Sequence, residues 1–493
     1  MKSPIASIVL AIVLASCAVG PDFKKPTAPD VTGYTPGGPQ ADTQNTDVAG
    51  GEAQRFIEDR DIPGQWWALF HSEPLNQLIT EALKSNPTLD SAQASLRQAQ
   101  ENASAQAGIF YPSVTGNFSS TREKISGAGQ GNPRFSSIFT FTSGSVSVSY
   151  PLDVFGGERR QYESVEAQAE FQRYQLEAAY LTLTSNIVAA AVQEASLRAQ
   201  IAATQEIIDA ETEQLNLLKR QVELGGVAQA AVLAQQATLS ATQATLPNLQ
   251  KQLAQQRILL TALAGRFPSQ EIEQTFDLAS LQLPQELPVS LPSKLVEQRP
   301  DIEASQAQLH SASALVGVAI ANMLPQITLS ASYGNSVTQI GNLLSGPGIW
   351  SIGAGLIQPI FRGGQLLHEK RAAAAAFDAA AAQYKSTVIA AFQNVADTLR
   401  ALQDDAVALA AQVAAERSAA DSLTITRSQY QNGAINYSTL LNAETTYQQA
   451  HINRVIAQAT RFADTAALFQ ALGGGWWNRN DVADKGAANA KQE

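Results

Sequence analysis

The chain writes one long hairpin motif twice, and that duplication limits what it can fold into. Residues 86 to 265 read as helix, strand pair, very long helix, glycine turn and returning helix, and residues 299 to 472 repeat the order. Asn86-Pro87 answers Arg299-Pro300 and Tyr111-Pro112 answers Leu324-Pro325, both 213 positions apart. Gly156-Gly157 answers Gly363-Gly364, and Gly226 answers Gly433, both 207 apart. Two strands per repeat are too few for a sheet to stand alone, so the strands call for a partner chain or a membrane. The 493 residues therefore read as one elongated, pseudo-symmetric architecture and not as a string of globular domains.

Period-two alternation marks strands at about 113–121, 139–150, 326–335 and 349–358. Phe139 and Phe141, then Val146, Val148 and Tyr150, alternate with Thr and Ser; Ile327, Leu329, Ala331 and Tyr333, and Trp350, Ile352, Ala354 and Leu356, do likewise. One apolar face and one small polar face fit a transmembrane barrel with lipid outside and water inside. No other segment offers a second sheet to cover the apolar face. Trp350, Tyr150 and Tyr333 are candidates for an aromatic girdle, and the Gly- and Ser-rich stretches 122–138 and 336–348 read as exposed loops. Four strands cannot close a barrel, and in hydrocarbon each unpaired backbone group at an open edge costs several kcal/mol. Two copies would give eight strands and a filled interior, whereas three give twelve with room for water. The expectation is a homotrimer.

Residues 157–224 and 364–432 each run nearly 70 positions without a proline, roughly 100 Å of helix at 1.5 Å per residue. Each turns back at glycine, through Leu224-Gly225-Gly226-Val227 and Gln431-Asn432-Gly433-Ala434. Pro247 predicts a kink or break in the first returning helix. These helices are rich in Ala, Gln, Leu, Thr and Ser, with an alanine-dominated run at 372–382. Small side chains let neighbouring helices approach closely on more than one face, as a curved wall of helices requires.

The 33 basic and 44 acidic residues, with pI near 5.0, give no basic stripe, so nucleic acid is not an expected partner. Met1-Lys2, the apolar run Ile5 to Leu14 and the small residues before Cys17 match a secretory signal at 1–16. Cys17 is the single cysteine, which excludes an internal disulfide. Leu14-Ala15-Ser16-Cys17 resembles a lipobox, which implies lipid attachment at Cys17; Ala18 in place of Asp implies sorting to the outer membrane. Residues 17–60 read as an extended, lipidated tether, and a first helical region runs from about Pro74 to Phe110 behind Trp66-Trp67. His71, His310, His368 and His451 have no ligand-type spacing and no phosphate-binding glycine loop appears, so neither enzyme activity nor a cofactor or metal is expected.

At this point the chain resembles the outer-membrane efflux proteins (TolC-like), in their NodT-type lipoprotein branch serving resistance-nodulation-division pumps. The motifs are Cys17-Ala18-Val19-Gly20-Pro21-Asp22-Phe23, Trp66-Trp67-Ala68-Leu69-Phe70, Arg299-Pro300-Asp301-Ile302, Leu324-Pro325-Gln326-Ile327, Tyr430-Gln431-Asn432-Gly433 and Leu472-Gly473-Gly474-Gly475-Trp476. The resemblance implies a mainly α fold with a transmembrane β part: a trimeric 12-stranded β-barrel, four strands per chain, continued by a long periplasmic α-helical barrel. The repeats would be 61–265 and 299–476, with an equatorial linker at 266–298 and a disordered tail at 477–493. It implies an outer-membrane exit duct for drugs or other small toxic compounds, fed by an inner-membrane resistance-nodulation-division pump through a periplasmic adaptor. A type I protein-secretion channel and a non-porous periplasmic coiled-coil lipoprotein are the alternatives.

By the same resemblance, Gly225, Gly226, Tyr430, Asn432, Gly433, Thr439, Leu441 and Asn442 would form the periplasmic gate and adaptor docking surface. Asn442 stands where relatives often carry an aspartate, so closure would rest on Leu441 packing and on polar contacts of Thr439 and Asn442. Tyr430 would reach the neighbouring hairpin.

Overall fold

The computed structural model describes residues 18–36, 41–126 and 136–479. The signal segment, Cys17 and the tail from residue 480 onward lie outside them. The described residues divide into two compact units, one gathering those within 18–26, 95–173 and 304–385, the other those within 27–94, 174–303 and 386–479.

The first unit is built on a four-stranded antiparallel sheet of β2 (Ser113–Ser126), β3 (Ser136–Leu152), β5 (Gln326–Val337) and β6 (Gly348–Ile357), ordered β2-β3-β5-β6. Both repeats contribute a hairpin, and the seam between them is the β3–β5 pairing, Thr142↔Val337 through Leu152↔Ile327. β2 and β6 are edges with no partner strand among the described residues. The register places Val114, Val146, Val148, Leu329, Tyr333, Trp350, Ile352 and Leu356 on one face. All of those but Val148 are large apolar side chains left exposed, Ile352 by 79%. The opposite face is laced by short polar side chains: Asn117 donates to Ser147 (3.2 Å), and hydroxyl pairs join Ser119 to Ser143 and Ser332 to Ser351 (both 2.8 Å).

The strands are longer than the alternation suggested, and one reading is corrected. β2 and β3 pair without a bulge from Ser113↔Ser149 to Ser126↔Ser136, so Phe139 and Phe141 fall on the opposite face from Val146, Val148 and Tyr150. The inversion begins where β3 runs out of partner at Thr142↔Val337; beyond that row the hairpin is a two-stranded ribbon, freed from the inside-outside demand of the four-stranded part.

The chain's first described residues are fastened to this unit. Val19 N–H donates to Phe155 C=O (2.9 Å), Arg160 pairs with Asp22 (2.5 Å), and Phe23 stacks on His310 with centroids 4.3 Å apart. Asp153 accepts from the Glu158 and Arg159 N–H groups (both 3.0 Å) at the start of the first long helix, answering orphan donors at its positive end.

The second unit is helical. In chain order the α-helices are α1 (Glu73–Ser85), α2 (Pro87–Ala107), α3 (Gly157–Glu223), α4 (Gln229–Leu263), α5 (Pro292–Gln298), α6 (Pro300–Ala321), α7 (Gln365–Gln431) and α8 (Tyr437–Ala471); the initial turns of α3 and α7 and most of α2 and α6 belong with the sheet. α3 and α7 have 67 residues each, and α4 and α8 have 35. Both hairpins superimpose in sequence at an offset of 208, not the 207 that the glycine pairs suggested: 157 maps to 365, 223 to 431, 229 to 437. α4 runs unbroken through Pro247, since one proline removes a single backbone hydrogen bond from a helix of 35 residues. The first helical region is two helices, parted at Asn86, whose side chain reaches Thr88 N–H and Leu263 C=O (both 2.9 Å).

The tether is only partly a tether. β1 (Arg55–Glu58) pairs in parallel with β4 (Glu286–Val289) of the linker, and the preceding loop is pinned to α8. The fully buried Arg461 donates to Gly50 C=O (3.1 Å), Glu52 C=O (2.6 Å) and Thr43 (2.9 Å). A main core holds Trp66, Phe70, Phe276, Phe462 and Phe469, with Trp66 and Phe469 stacked at 5.3 Å. Residues 477–479, assigned above to the tail, are ordered: Trp477 donates to Asp61 (2.9 Å) and Arg479 pairs with Glu177 (2.8 Å).

Candidate functional site: the hairpin tips

Both glycine turns close as Schellman caps. Gly225 has φ +74°, its N–H donates to Val222 C=O (2.9 Å), and Gly226 N–H donates to Gln221 C=O (2.7 Å). At the second tip Gly433 has φ +72°, its N–H donates to Tyr430 C=O (2.9 Å), and Ala434 N–H donates to Gln429 C=O (2.9 Å). Only glycine takes this left-handed conformation without a Cβ penalty. The counterpart of Gly433 is therefore Gly225; Gly226 follows it as the next donor. Asn432 secures its own helix end, donating to Ser428 C=O (2.9 Å).

The return helices start differently. Asn436 caps α8, accepting from the N–H and hydroxyl of Thr439 at 3.0 and 2.9 Å. Ala228, its counterpart, provides no side-chain cap to α4. Thr439 is thus engaged in starting its own helix. Leu441 is half-buried against the local core, and Asn442 is exposed. Cys17 lies outside the described residues.

That local core contains Ile208, Leu215, Leu218, Val232, Leu239, Leu423, Tyr437 and Leu440, and it joins the two hairpins. Polar links cross it. Tyr430 O–H donates to Gln221 Oε1 (3.2 Å), so it does reach the other hairpin, with its ring edge-on to Tyr437 at 5.7 Å. Tyr437 donates to Oε1 of Gln235, which has no exposed surface and in turn donates to Glu211 C=O (3.1 Å). Gln448 of α8 and Thr242 of α4 both donate to Glu211 Oε1 (3.0 Å each). Burial raises the phenol pKa of both tyrosines, and for Tyr437 the carboxylates of Glu444 and Glu211 and the neighbouring Tyr430 add to it, keeping the hydroxyls as donors. Burial likewise raises Glu444, opposed by Arg427 at 3.5 Å.

Sequence reasoning found the turns and Tyr430 but missed Tyr437, Gln235, Gln221 and Glu211. Asn436, three residues before Thr439, is a cap signal that could have been read. Nothing local marks Glu211 or Gln235, because their partners lie on other helices. Among the described residues, no helix is long and apolar enough to cross a membrane.

The chain matches the model of the outer membrane efflux protein family over residues 78–266 and 291–474. It is 28% identical to the pyoverdine export outer membrane protein OpmQ of Pseudomonas putida, covering 95% of this chain and 96% of that one. The OpmQ of Pseudomonas aeruginosa is 30% identical, over 84% of this chain and 87% of its own. The solved structure of the outer-membrane channel OprN superimposes with a TM-score of 0.83 at 25% identity, covering 93% of this chain and all (100%) of that chain.

Proposed function

The chain belongs to the outer membrane efflux protein family, and from that premise we propose that it is the passive exit duct of a tripartite efflux system. Three copies share strand edges, β2 of one against β6 of the next, to close a twelve-stranded barrel around the serine-lined face. The hairpins of the three chains form the periplasmic tunnel, and their tips are its gate and the docking surface for a periplasmic adaptor. An inner-membrane resistance-nodulation-division pump supplies the energy, and the duct carries out no reaction of its own. The cargo is a drug or other small toxic compound.

The observation that carries this reading is the antiparallel sheet with an exposed apolar face, a hydrogen-bonded polar face and two open edges. Its apolar rows run from Leu152 to Val146 along β3, roughly 20 Å at about 3.4 Å per residue, near the height of a barrel's apolar band. Such a face, left wet, would aggregate. Lipid attachment at Cys17 is supported by the neighbouring contacts: Val19 is held beside Phe155, just past the end of β3, where the apolar band stops and an acyl chain can enter the same leaflet.

Pairs of cysteines, one on β2 and one on β6 of the same chain, in a Cys17→Ser background test the assembly. Disulfides should join β2 to β6 between chains and yield closed trimers on non-reducing gels. A ladder that continues past three, or dimers alone, defeats the proposal.

A further inference from the structure

The chain carries one seam between its repeats, and the duplication implies a second seam between copies. The two hairpins close alike, Ser113↔Ser149 in the first and Gln326↔Ile357 in the second. Residue 113 thus maps to 326 and 149 to 357, so β2 maps onto β5 at an offset of 213 and β3 onto β6 at 208. Prolines mark both maps: Pro112 answers Pro325, and Pro151 answers Pro359. Because β3 pairs with β5 inside the chain, the counterparts of that pair are the two free edges, β6 and β2.

The free edges show what they lack. β3 stays paired as far as Leu152, which lies opposite Ile327 and is half-buried. β6 stops at Ile357, the counterpart of Ser149, and Ile360, the counterpart of Leu152, is 89% exposed. Leu356 on β6 and Phe118 on β2 are left bare as well, at 64 and 63%.

We propose that copies of this chain join β6 to β2 in the register of the β3–β5 seam. Val148↔Ala331 becomes Leu356 opposite Phe118 of the next chain, Ser149↔Ser330 becomes Ile357 opposite Asn117, and Leu152↔Ile327 becomes Ile360 opposite Val114. This register rests on the closed trimer proposed above and fixes how its edges meet.

The faces of the sheet agree with it independently. Leu356 and Phe118 both belong to the apolar face, and Asn117 belongs to the polar one, where it donates to Ser147. A slip of one residue would set Leu356 against Asn117 or Ser119 of the polar face. A slip of two keeps the faces but sets Leu356 against Gly116 or Ser120 and separates the two large apolar side chains. Nearer the hairpin ends, Ile352 and Trp350 fall opposite Arg122 and Lys124, whose alkyl stems cover them while the charges reach past the apolar band.

The test combines cysteines within one chain in the Cys17→Ser background. Leu356→Cys is joined to Phe118→Cys and, for comparison, to Gly116→Cys or Ser120→Cys. Ile357→Cys with Asn117→Cys repeats the matched case on the polar face and leaves the apolar band untouched. Opposed antiparallel residues hold their Cβ atoms about 4.5–5.5 Å apart, and a shift of two residues moves them to about 7–8 Å, too far for a disulfide. Adjacent rows alternate between wide and close pairs, so at least one matched pair is expected to react readily. Purified protein in detergent is oxidised with copper phenanthroline and followed on non-reducing gels. A matched pair should form covalent trimers at least tenfold faster than either shifted pair. A shifted pair that cross-links as fast overturns the register and leaves the closed trimer standing, as does the absence of disulfides from every pair in material of trimeric size. Material that is monomeric in every variant and in the Cys17→Ser parent defeats the trimer and the register with it.

Discussion

Tyr437→Phe isolates a single bond between the tip hairpins. The ring stays in the core with Leu440 and Leu218, but Gln235 Oε1 loses its donor at a site with no exposed surface. An unanswered buried acceptor costs about 1–3 kcal/mol. If the link exists only while the hairpins are packed together, that cost moves the open-to-closed ratio about 5- to 150-fold, at about 1.4 kcal/mol per tenfold. Tyr430→Phe is the internal scale. Its partner Gln221 is half-buried and the bond is 3.2 Å, so about 0.5–1 kcal/mol, or two- to fivefold, is expected. The assay is resting conductance of purified protein in planar bilayers, with circular dichroism and oligomeric size as controls. Tyr437→Phe should raise conductance more than Tyr430→Phe, and the double variant more than either. Both phenols are raised well clear of neutrality, so the wild-type contribution should be flat between about pH 6 and 9. The reasoning is refuted if Tyr437→Phe lowers thermal stability as a lost buried bond should while conductance does not change, because the link then persists in both states.

Gly225→Ala and Gly433→Ala should each destabilise a tip by about 1–2 kcal/mol, since only the left-handed backbone resists them and no atom crowds the site; Gly226→Ala, without positive φ, should cost less, as hydrogen exchange of the tip amides will report. Burial and the adjacent Asp464 raise the Asp405 carboxyl to about 7, opposed by Arg461 and assisted by Asp404. A raised acid favours the protonated folded form, so its contribution to stability is complete below about pH 4 and is lost as pH climbs through about 7. Asp405→Asn should remove that slope and stabilise the fold at pH 8 by on the order of 1 kcal/mol once partial exposure is allowed for, read as a higher apparent Tm; an unchanged slope refutes the assignment. Asn442→Asp, at an exposed tip position, should increase cation selectivity in reversal-potential measurements, and unchanged selectivity removes Asn442 from the gate.

The alternation of Val, Ile and Ser across the strands, the proline-free helical runs and the doubled order of elements were legible because each is a local, periodic signal. The turn glycines were legible for the same reason, although their register was one residue off: sequence pairs similar letters, whereas the Schellman geometry pairs Gly225 with Gly433 through φ and the donors that follow. Phe139 and Phe141 misled because alternation alone does not say where a strand loses its neighbour. The tether misled because Pro- and Gly-rich composition marks absence of a core of its own, and says nothing about lying on another one, as residues 43–54 do on Arg461.

The repeating hairpin, the four strands of the antiparallel sheet and, where all four strands pair, the side of each that faces oil were written in the sequence, since helix and strand periods are carried by neighbouring residues. Tertiary structure alone decided which helices meet at the tips and so which polar groups became partners. Glu211, Gln235 and Tyr437 are separated by up to 226 positions and acquire their roles only when α3, α4 and α8 pack together, because burial and hydrogen-bond reach are properties of distance in space and not of order along the chain.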